Sequence, residues 1–364
     1  MISAVVVLLI FSININLVEA VQQYTISDIG TLGGDYAWSY AINESGQTAG
    51  DSYTASNAKR HAFKYDGTSM QDLGTLGGSV SFAIGIANNG TVLGRSDISG
   101  NTTEHAYMHD GSGMTDLGTL GGAFSAAYYM NDSGQIVGSA DIVGDIRRAF
   151  LYENGSMYDL GTLGGSESRG KDINNSGDIV GTSSLTGNST SHGFKYNGTT
   201  MIDLGTLGGS FSNALDISNT GFVVGHSDIL GDSARHAYLH DGATMIDLGT
   251  LGGTTSGANS VNDAGEVVGW SQYDNSGIYH AFIHDGIAMH DLNDLLPAGS
   301  GWDYLREAQG INSYGQITGN GFVDGKLHAY IMTPVPEPAT LTLLGLGGIA
   351  AIKRRRIAFG VRPL

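Results

Sequence analysis

The stretch that decides the fold runs from His61 to Arg95 and reads HAFKYDGTSMQDLGTLGGSVSFAIGIANNGTVLGR. Its opening, His61 to Tyr65, alternates polar and apolar residues as a half-buried strand does. Asp66-Gly67 follows, a dipeptide suited to the positive-φ turn of a two-residue hairpin. A second strand is expected through Met70 to Leu73, then a Gly-rich loop, a longer strand from Val80 to Ile86, a turn at Asn89-Gly90 and a last strand from Thr91 to Arg95. One such segment therefore codes four short antiparallel strands.

The segment recurs. DIGTLGG begins at Asp28 and DLGTLGG at Asp72, Asp116, Asp159, Asp203 and Asp247, with a degenerate DLNDLLP at Asp291, so the period is 43 or 44 residues. Between these lie HAF at His61, HAY at His105, RAF at Arg148, HGF at His192, HAY at His236, HAF at His280 and HAY at His328. The hairpin dipeptide returns as Asp110-Gly111, Asn154-Gly155, Asn197-Gly198, Asp241-Gly242 and Asp285-Gly286, and an N-x-x-G turn starts at Asn43, Asn131, Asn174, Asn262 and Asn312. Four strands in about 44 residues is the size of a propeller blade rather than of a solenoid turn. The repeat begins at Tyr24 in mid-unit and finishes on a surplus HAF-type strand, His328 to Met332. The expected fold is therefore all-β, a seven-bladed β-propeller spanning residues 21–333 and closed by pairing the final strand with the first.

Composition agrees with many short strands and tight turns: glycine supplies 57 of 364 residues, while charged residues are only 14%. Cysteine is absent, which excludes disulfides, thiolate metal sites and a cysteine nucleophile. Five of the 17 basic residues lie in the last dozen positions, so the repeat array carries 12 basic against 33 acidic residues. An array of that charge is a poor partner for nucleic acid or anionic lipid. Residues 1–20 read as a secretory signal peptide, with an apolar run from Ala4 to Phe11 and a small-residue end at Ala20.

At the other end Val335-Pro336-Glu337-Pro338 precedes an apolar run from Ala339 to Ile352 and the basic cluster Lys353, Arg354, Arg355, Arg356. The apolar run is a short transmembrane segment, and the basic cluster orients it with the array outside. This arrangement, residues 334–364, resembles the PEP-CTERM sorting signal of Gram-negative bacteria. The resemblance implies export across the inner membrane, recognition by an exosortase, and a cell-surface or extracellular location reached through a transient C-terminal anchor. The paired DLGTLGG and HAF motifs likewise resemble the HAF repeat of extracellular bacterial proteins, over roughly Tyr24 to Met332.

No convergent chemistry stands out. A sevenfold Asp or His spreads one residue type around a ring, whereas a catalytic or metal site gathers different types at one point, so both are read as structural, the Asp accepting backbone N–H groups and the His bridging strands. His105 with His109, His236 with His240 and His280 with His284 are about 13 Å apart on an extended strand, too far for one zinc ion. The polar loops Ser139 to Asp145, Ser227 to Asp232 and Asp274-Asn275 offer oxygen ligands for Ca²⁺ without a recognised calcium-loop spacing, and no cofactor is expected. Distinct chemistry belongs where the repeat breaks. In the fourth unit Glu167, Arg169, Lys171 and Asp172 replace apolar and small residues, and in the last an insertion carries Trp302, Asp303, Arg306 and Glu307. Trp302 either stacks on a sugar or plugs the closing seam. The expected function is a non-enzymatic scaffold or adhesion module facing extracellular polysaccharide or matrix. The alternatives are a glycan hydrolase or lyase using Asp303, Glu307 and Glu167, and a Ca²⁺-dependent lectin.

Overall fold

The computed structural model describes residues 22–274 and 277–336. The expected signal peptide and most of the sorting segment, Glu337 onward, lie outside the described residues; among the described residues no helix is long and apolar enough to cross a membrane. The described residues are all-β and form 28 strands, with one 3-10 turn at Ala55–Asn57. They group by fours into antiparallel sheets, and each sheet draws its strands from about one repeat period. In the first, Gly33–Ile42 pairs with Thr48–Thr54, which pairs with Arg60–Tyr65, which pairs with Met70–Asp72. This group and the next, which starts at Gly77–Ile86, touch through a single parallel pair, Arg60↔Val80. The remaining sheets start at Gly121–Met130, Gly164–Ile173, Gly208–Ile217, Ser256–Val261 and Tyr304–Ile311.

These starting strands line the middle of the molecule. Each contacts the starting strand of the next sheet, and Tyr304–Ile311 contacts Gly33–Ile42, so the series returns to its beginning. The last sheet is completed from the other end of the chain: Tyr24–Asp28 pairs with Lys326–Pro334, from Tyr24↔Pro334 to Asp28↔Tyr330. Beyond it, Val335 donates its N–H to the carbonyl of Gln23 at 2.7 Å.

The letters of the HAF motif divide the labour of packing. Its aromatic residue, Phe63, Tyr107, Phe150, Phe194, Tyr238, Phe282 or Tyr330, is wholly buried in every sheet, and each contributes about 1.5–3 kcal/mol on burial. The middle residue faces the adjacent sheet. There the N–H of Ala62, for example, donates to Oγ of Ser81 at 2.8 Å. A further glycine recurs on the second strand of each sheet as Gly50, Gly94, Gly138, Gly181, Gly225, Gly269 and Gly319. A Cβ there would lie 1.8–2.2 Å from a carbonyl oxygen of the facing starting strand, so the two strands approach only because no side chain intervenes.

Candidate functional site

The repeated polar residues all have structural partners. His61, His105, His192 and His236 hold Asp72, Asp116, Asp203 and Asp247 through Nδ1 at about 2.9 Å, and His280 and His328 hold Asp291 and Asp28 at 2.6 Å. Arg148 takes the same place opposite Asp159 at 3.5 Å. Each of these aspartates also accepts the N–H two residues on, as Asp72 does from Gly74 at 2.8 Å. The second histidines serve the hairpins: Nδ1 of His109, His240 and His284 accepts the N–H of Gly111, Gly242 and Gly286. An accepting imidazole has to be neutral, and burial lowers the pKa of His240 and His284.

The N-x-x-G turns do more than turn. Besides accepting local N–H groups, Asn131 and Asn174 donate through Nδ2 to the carbonyls of Asn174 and Ser218, the equivalent turn positions in the following sheets. Asn312 does the same to Asn43, 269 residues away, at 3.1 Å. In the same turns Glu44, Asp132, Asn175 and Asn219 each donate a backbone N–H to the side chain of Asn88, Asn175, Asn219 and Asp263 respectively. Ser313 likewise donates its N–H to the carboxylate of Glu44.

These turns border a cavity of about 300 Å³. Tyr40, Ile84, Tyr128, Lys171, Leu215, Asn259 and Gln309, one from each starting strand, line its wall. Lys171 sets its ammonium 4.3 Å from the centre of the Tyr128 ring. Burial pushes the Tyr128 phenol up, but Lys171, Arg95 and Arg147 outweigh it and pull the pKa below the usual tyrosine value. Tyr129 is driven the other way, by burial first and then by Asp172, Asp216, Asp132 and Glu44.

Asp172 and Asp216 occupy the same position in adjacent sheets, where Ala41, Gly85, Tyr129, Ser260 and Gly310 stand elsewhere. A bulge in the strand pairing, between Gly170 and Asp172 and again between Ala214 and Asp216, turns both carboxyls into the seam. Asp172 accepts the N–H of Ile217 at 2.9 Å and Asp216 that of Val261 at 2.8 Å. Burial first, and then the neighbouring Asp216, raise Asp172 well above the carboxylate range.

Toward the other end of the starting strands, rings and guanidiniums alternate between sheets. Arg60 lies 4.1 Å from the Trp38 ring centre and 4.9 Å from Phe82, Arg95 4.5 Å from Phe82 and 5.9 Å from Phe124, and Arg147 3.8 Å from Phe124. Each guanidinium has its own carboxylate, Asp51, Glu104 and Asp141 respectively. Burial raises Asp51 to about 6 despite Arg60 against it. In the fifth and sixth sheets Phe211, His226, Trp270 and Tyr279 continue the stack.

The sequence candidates are dispersed. Glu167 and Arg169 pair with each other at 3.3 Å on the fourth sheet and remain about half exposed. Trp302 is half-buried, edge-on to Tyr330 at 5.7 Å, and packs on the core of the last sheet. Asp303 accepts the N–H of Gly325 at 2.9 Å, Glu307 accepts from Asn320 at 3.3 Å, and Arg306 is exposed. Glu167 stands three sheets away from Asp303 and Glu307, and the structure does not bring them together. Val335 and Pro336 follow the final strand; Glu337, Pro338 and the basic cluster lie outside the described residues. Of the acidic loops, Asp141 and Asp228 are engaged by Arg147 and Arg235, and Asp232 accepts the N–H of Ser210. Among the described residues no three His, Asp or Glu side chains cluster as metal ligands. The bond from Ile217 to Asp172 and the arginine ladder escaped sequence reasoning, since each depends on which strands the fold makes adjacent.

Residues 334–356 match the PEP-CTERM protein-sorting motif, a signal of export. No curated protein matches the chain. Among solved structures it is similar to the Pyrococcus horikoshii acylaminoacyl peptidase, at 10% identity and a TM-score of 0.54 over 87% of this chain and 55% of that one, so it spans about half of the peptidase. A putative TolB from Agrobacterium tumefaciens aligns at 12% identity and a TM-score of 0.43, covering 87% of this chain and 100% of that one. The Aleuria aurantia lectin in complex with Fucα1-6GlcNAc aligns at 11% and 0.40, covering 72% and 96%. The likeness to the peptidase is one of fold.

Proposed function

We propose that this is an exported propeller of seven four-stranded blades, closed by Tyr24–Asp28 on Lys326–Pro334, delivered to the cell exterior through an exosortase and acting there as a non-enzymatic binding or scaffold module. The observation that carries the reading is the match of residues 334–356 to the sorting motif, directly behind the last strand of the array. Two others support the closed ring: the pairing of the first strand with the last, and the bond from Asn312 to Asn43. The non-enzymatic part rests on the dispersal of Glu167, Asp303 and Glu307 and on the structural engagement of every repeated His and Asp. Extracellular polysaccharide or matrix is the proposed partner class.

The test is to express the full chain and a version lacking residues 335–364 in a host with and without an exosortase. The full chain is expected to appear outside the cell at reduced mass only with the enzyme. Identical mass and location for both versions in the exosortase host would remove the sorting assignment. Release of reducing sugar from matrix polysaccharide by the purified protein, lost on Asp303→Asn, would overturn the non-enzymatic reading.

A further inference from the structure

A binding site gathers different side chains at one point, whereas a repeat copies one residue type around a ring. The cavity wall is where this array does the former. In each of the seven starting strands the pairing with the second strand skips one residue at the same step: between Ser39 and Ala41 in the first sheet, Gly170 and Asp172 in the fourth, Ala308 and Gly310 in the last. Such a bulge leaves the extra residue out of the ladder and re-aims its side chain. Here every extra residue, from Tyr40 round to Gln309, lines the cavity and is partly exposed. The residue before it is Ala, Gly or Ser in each sheet, so the backbone device is repeated while the chemistry it presents is not.

The groups presented differ around the wall. Tyr40, Ile84 and Tyr128 come from three consecutive sheets and form an aromatic and aliphatic arc, while the sixth and seventh sheets supply the carboxamides of Asn259 and Gln309. Asn259 donates Nδ2 to the carbonyl of Ala308 at 2.9 Å, which fixes the amide and leaves Oδ1 as an acceptor. Among the described residues the Gln309 carboxamide and the Lys171 ammonium have no hydrogen-bond or ion-pair partner, Lys171 resting 4.3 Å from the centre of the Tyr128 ring. Polar groups beside aromatic rings in a concave site fit a ligand that has both a C–H face and hydroxyl edges. Small-molecule sites start at about 300 Å³, and this cavity has that size, which suits one sugar residue rather than a length of chain. The bordering turns carry Glu44, Asp132 and Asp263 against the single ammonium of Lys171, a balance that disfavours an anionic sugar. We infer that the cavity binds one neutral pyranose, the terminal residue of a glycan, packed against Tyr128 and Tyr40 and hydrogen-bonded by Lys171, Asn259 and Gln309. This rests on the proposed polysaccharide or matrix partner and gives that partner a place on the molecule.

The test uses the full chain, purified in detergent, with methyl α-glucoside, α-galactoside and α-mannoside as neutral probes and methyl glucuronide as the charged one. Saturation-transfer NMR and calorimetry are expected to show one site per chain for at least one neutral probe, with Kd of about 1 mM, and weaker binding of the glucuronide. Gln309→Ala removes a side chain with no partner in the protein, and the loss of one hydrogen bond is expected to weaken binding about fivefold. Tyr128→Ala is expected to weaken it about tenfold or more, and Leu215→Trp, which fills the cavity from its wall, to abolish it. Tyr158→Ala removes an exposed ring on an outer strand and leaves binding unchanged. If Tyr128→Ala or Leu215→Trp fails to fold, Gln309→Ala decides. Absence of binding at about 50 mM of every neutral probe, tighter binding of the glucuronide, or undiminished affinity in Gln309→Ala would each overturn the site. Affinity electrophoresis in gels cast with neutral or uronate-rich polysaccharide separates this outcome from failure of the partner class. Equal retardation of the wild type and Gln309→Ala puts polysaccharide binding elsewhere and overturns the cavity alone, whereas no retardation together with no glycoside binding removes both.

Discussion

Replacing Tyr24 by alanine tests whether the first strand is a working part of the last sheet. Tyr24 is 6% exposed and sits in the core cluster with Leu305, Ile311, Ile317 and Met332. Burial, with Glu266 nearby, raises its phenol to about 12. Removing a buried aromatic ring costs about 3–5 kcal/mol when its surroundings cannot collapse. For an array of this length the unfolding entropy converts that loss into a fall in Tm of about 5–8 °C. Differential scanning calorimetry on Tyr24→Ala and Tyr24→Phe should show the full shift in the first and under about a quarter of it in the second, because phenylalanine retains the ring. A fall below about 1 °C in Tyr24→Ala would mean that Tyr24–Asp28 frays independently of the rest, and the closed-ring argument would fail.

Three further outcomes follow from the geometry. Asn312→Ala and Asn131→Ala each delete a bond between neighbouring turns, and in a ring with no weak seam chemical denaturation should show equal losses of about 1–3 kcal/mol. Gly181→Ala places a Cβ 2.0 Å from the Arg169 carbonyl and should prevent soluble folding, read as loss of the cooperative thermal transition. His226, held neutral by burial and by Arg235, has a pKa lowered to about 4 from an ordinary 6.5. The unfolded chain then takes up the proton first as pH falls from about 6.5 to 4, so stability is lost across that window by roughly 2–3 kcal/mol. His226→Asn should flatten the pH profile of Tm there; an unchanged profile would refute the assignment.

Much of the architecture was legible because one unit is written seven times. The alternation of His61 to Tyr65, the Asp66-Gly67 turn and the 44-residue step are local signals, and the strands formed where they pointed. The His and Asp of the two motifs were readable as structural for the same reason, although their direct pairing needed the adjacency of Arg60–Tyr65 and Met70–Asp72. Asp172 was visible as a break in the pattern, but the bond it accepts from Ile217 was not. A bulge at Gly170 decides which way residue 172 points, and no single-strand periodicity contains it. Trp302 illustrates the opposite case: the sequence left a sugar platform and a seam plug open, and the structure sets the ring against Tyr330 and Leu305.

The strand that completes the last sheet also governs how the molecule responds to pulling. Lys326–Pro334 is flanked on both sides, by Tyr24–Asp28 through five paired residues and by Ile317–Val323 through seven. A tether beginning at Val335 pulls along this strand, parallel to its neighbours and across the hydrogen bonds rather than in line with them. The bonds must then shear together instead of opening one at a time. A protein held by its tail in flowing medium would therefore load both rows of pairs at once, five residues on one side and seven on the other, and resist being unravelled from that end.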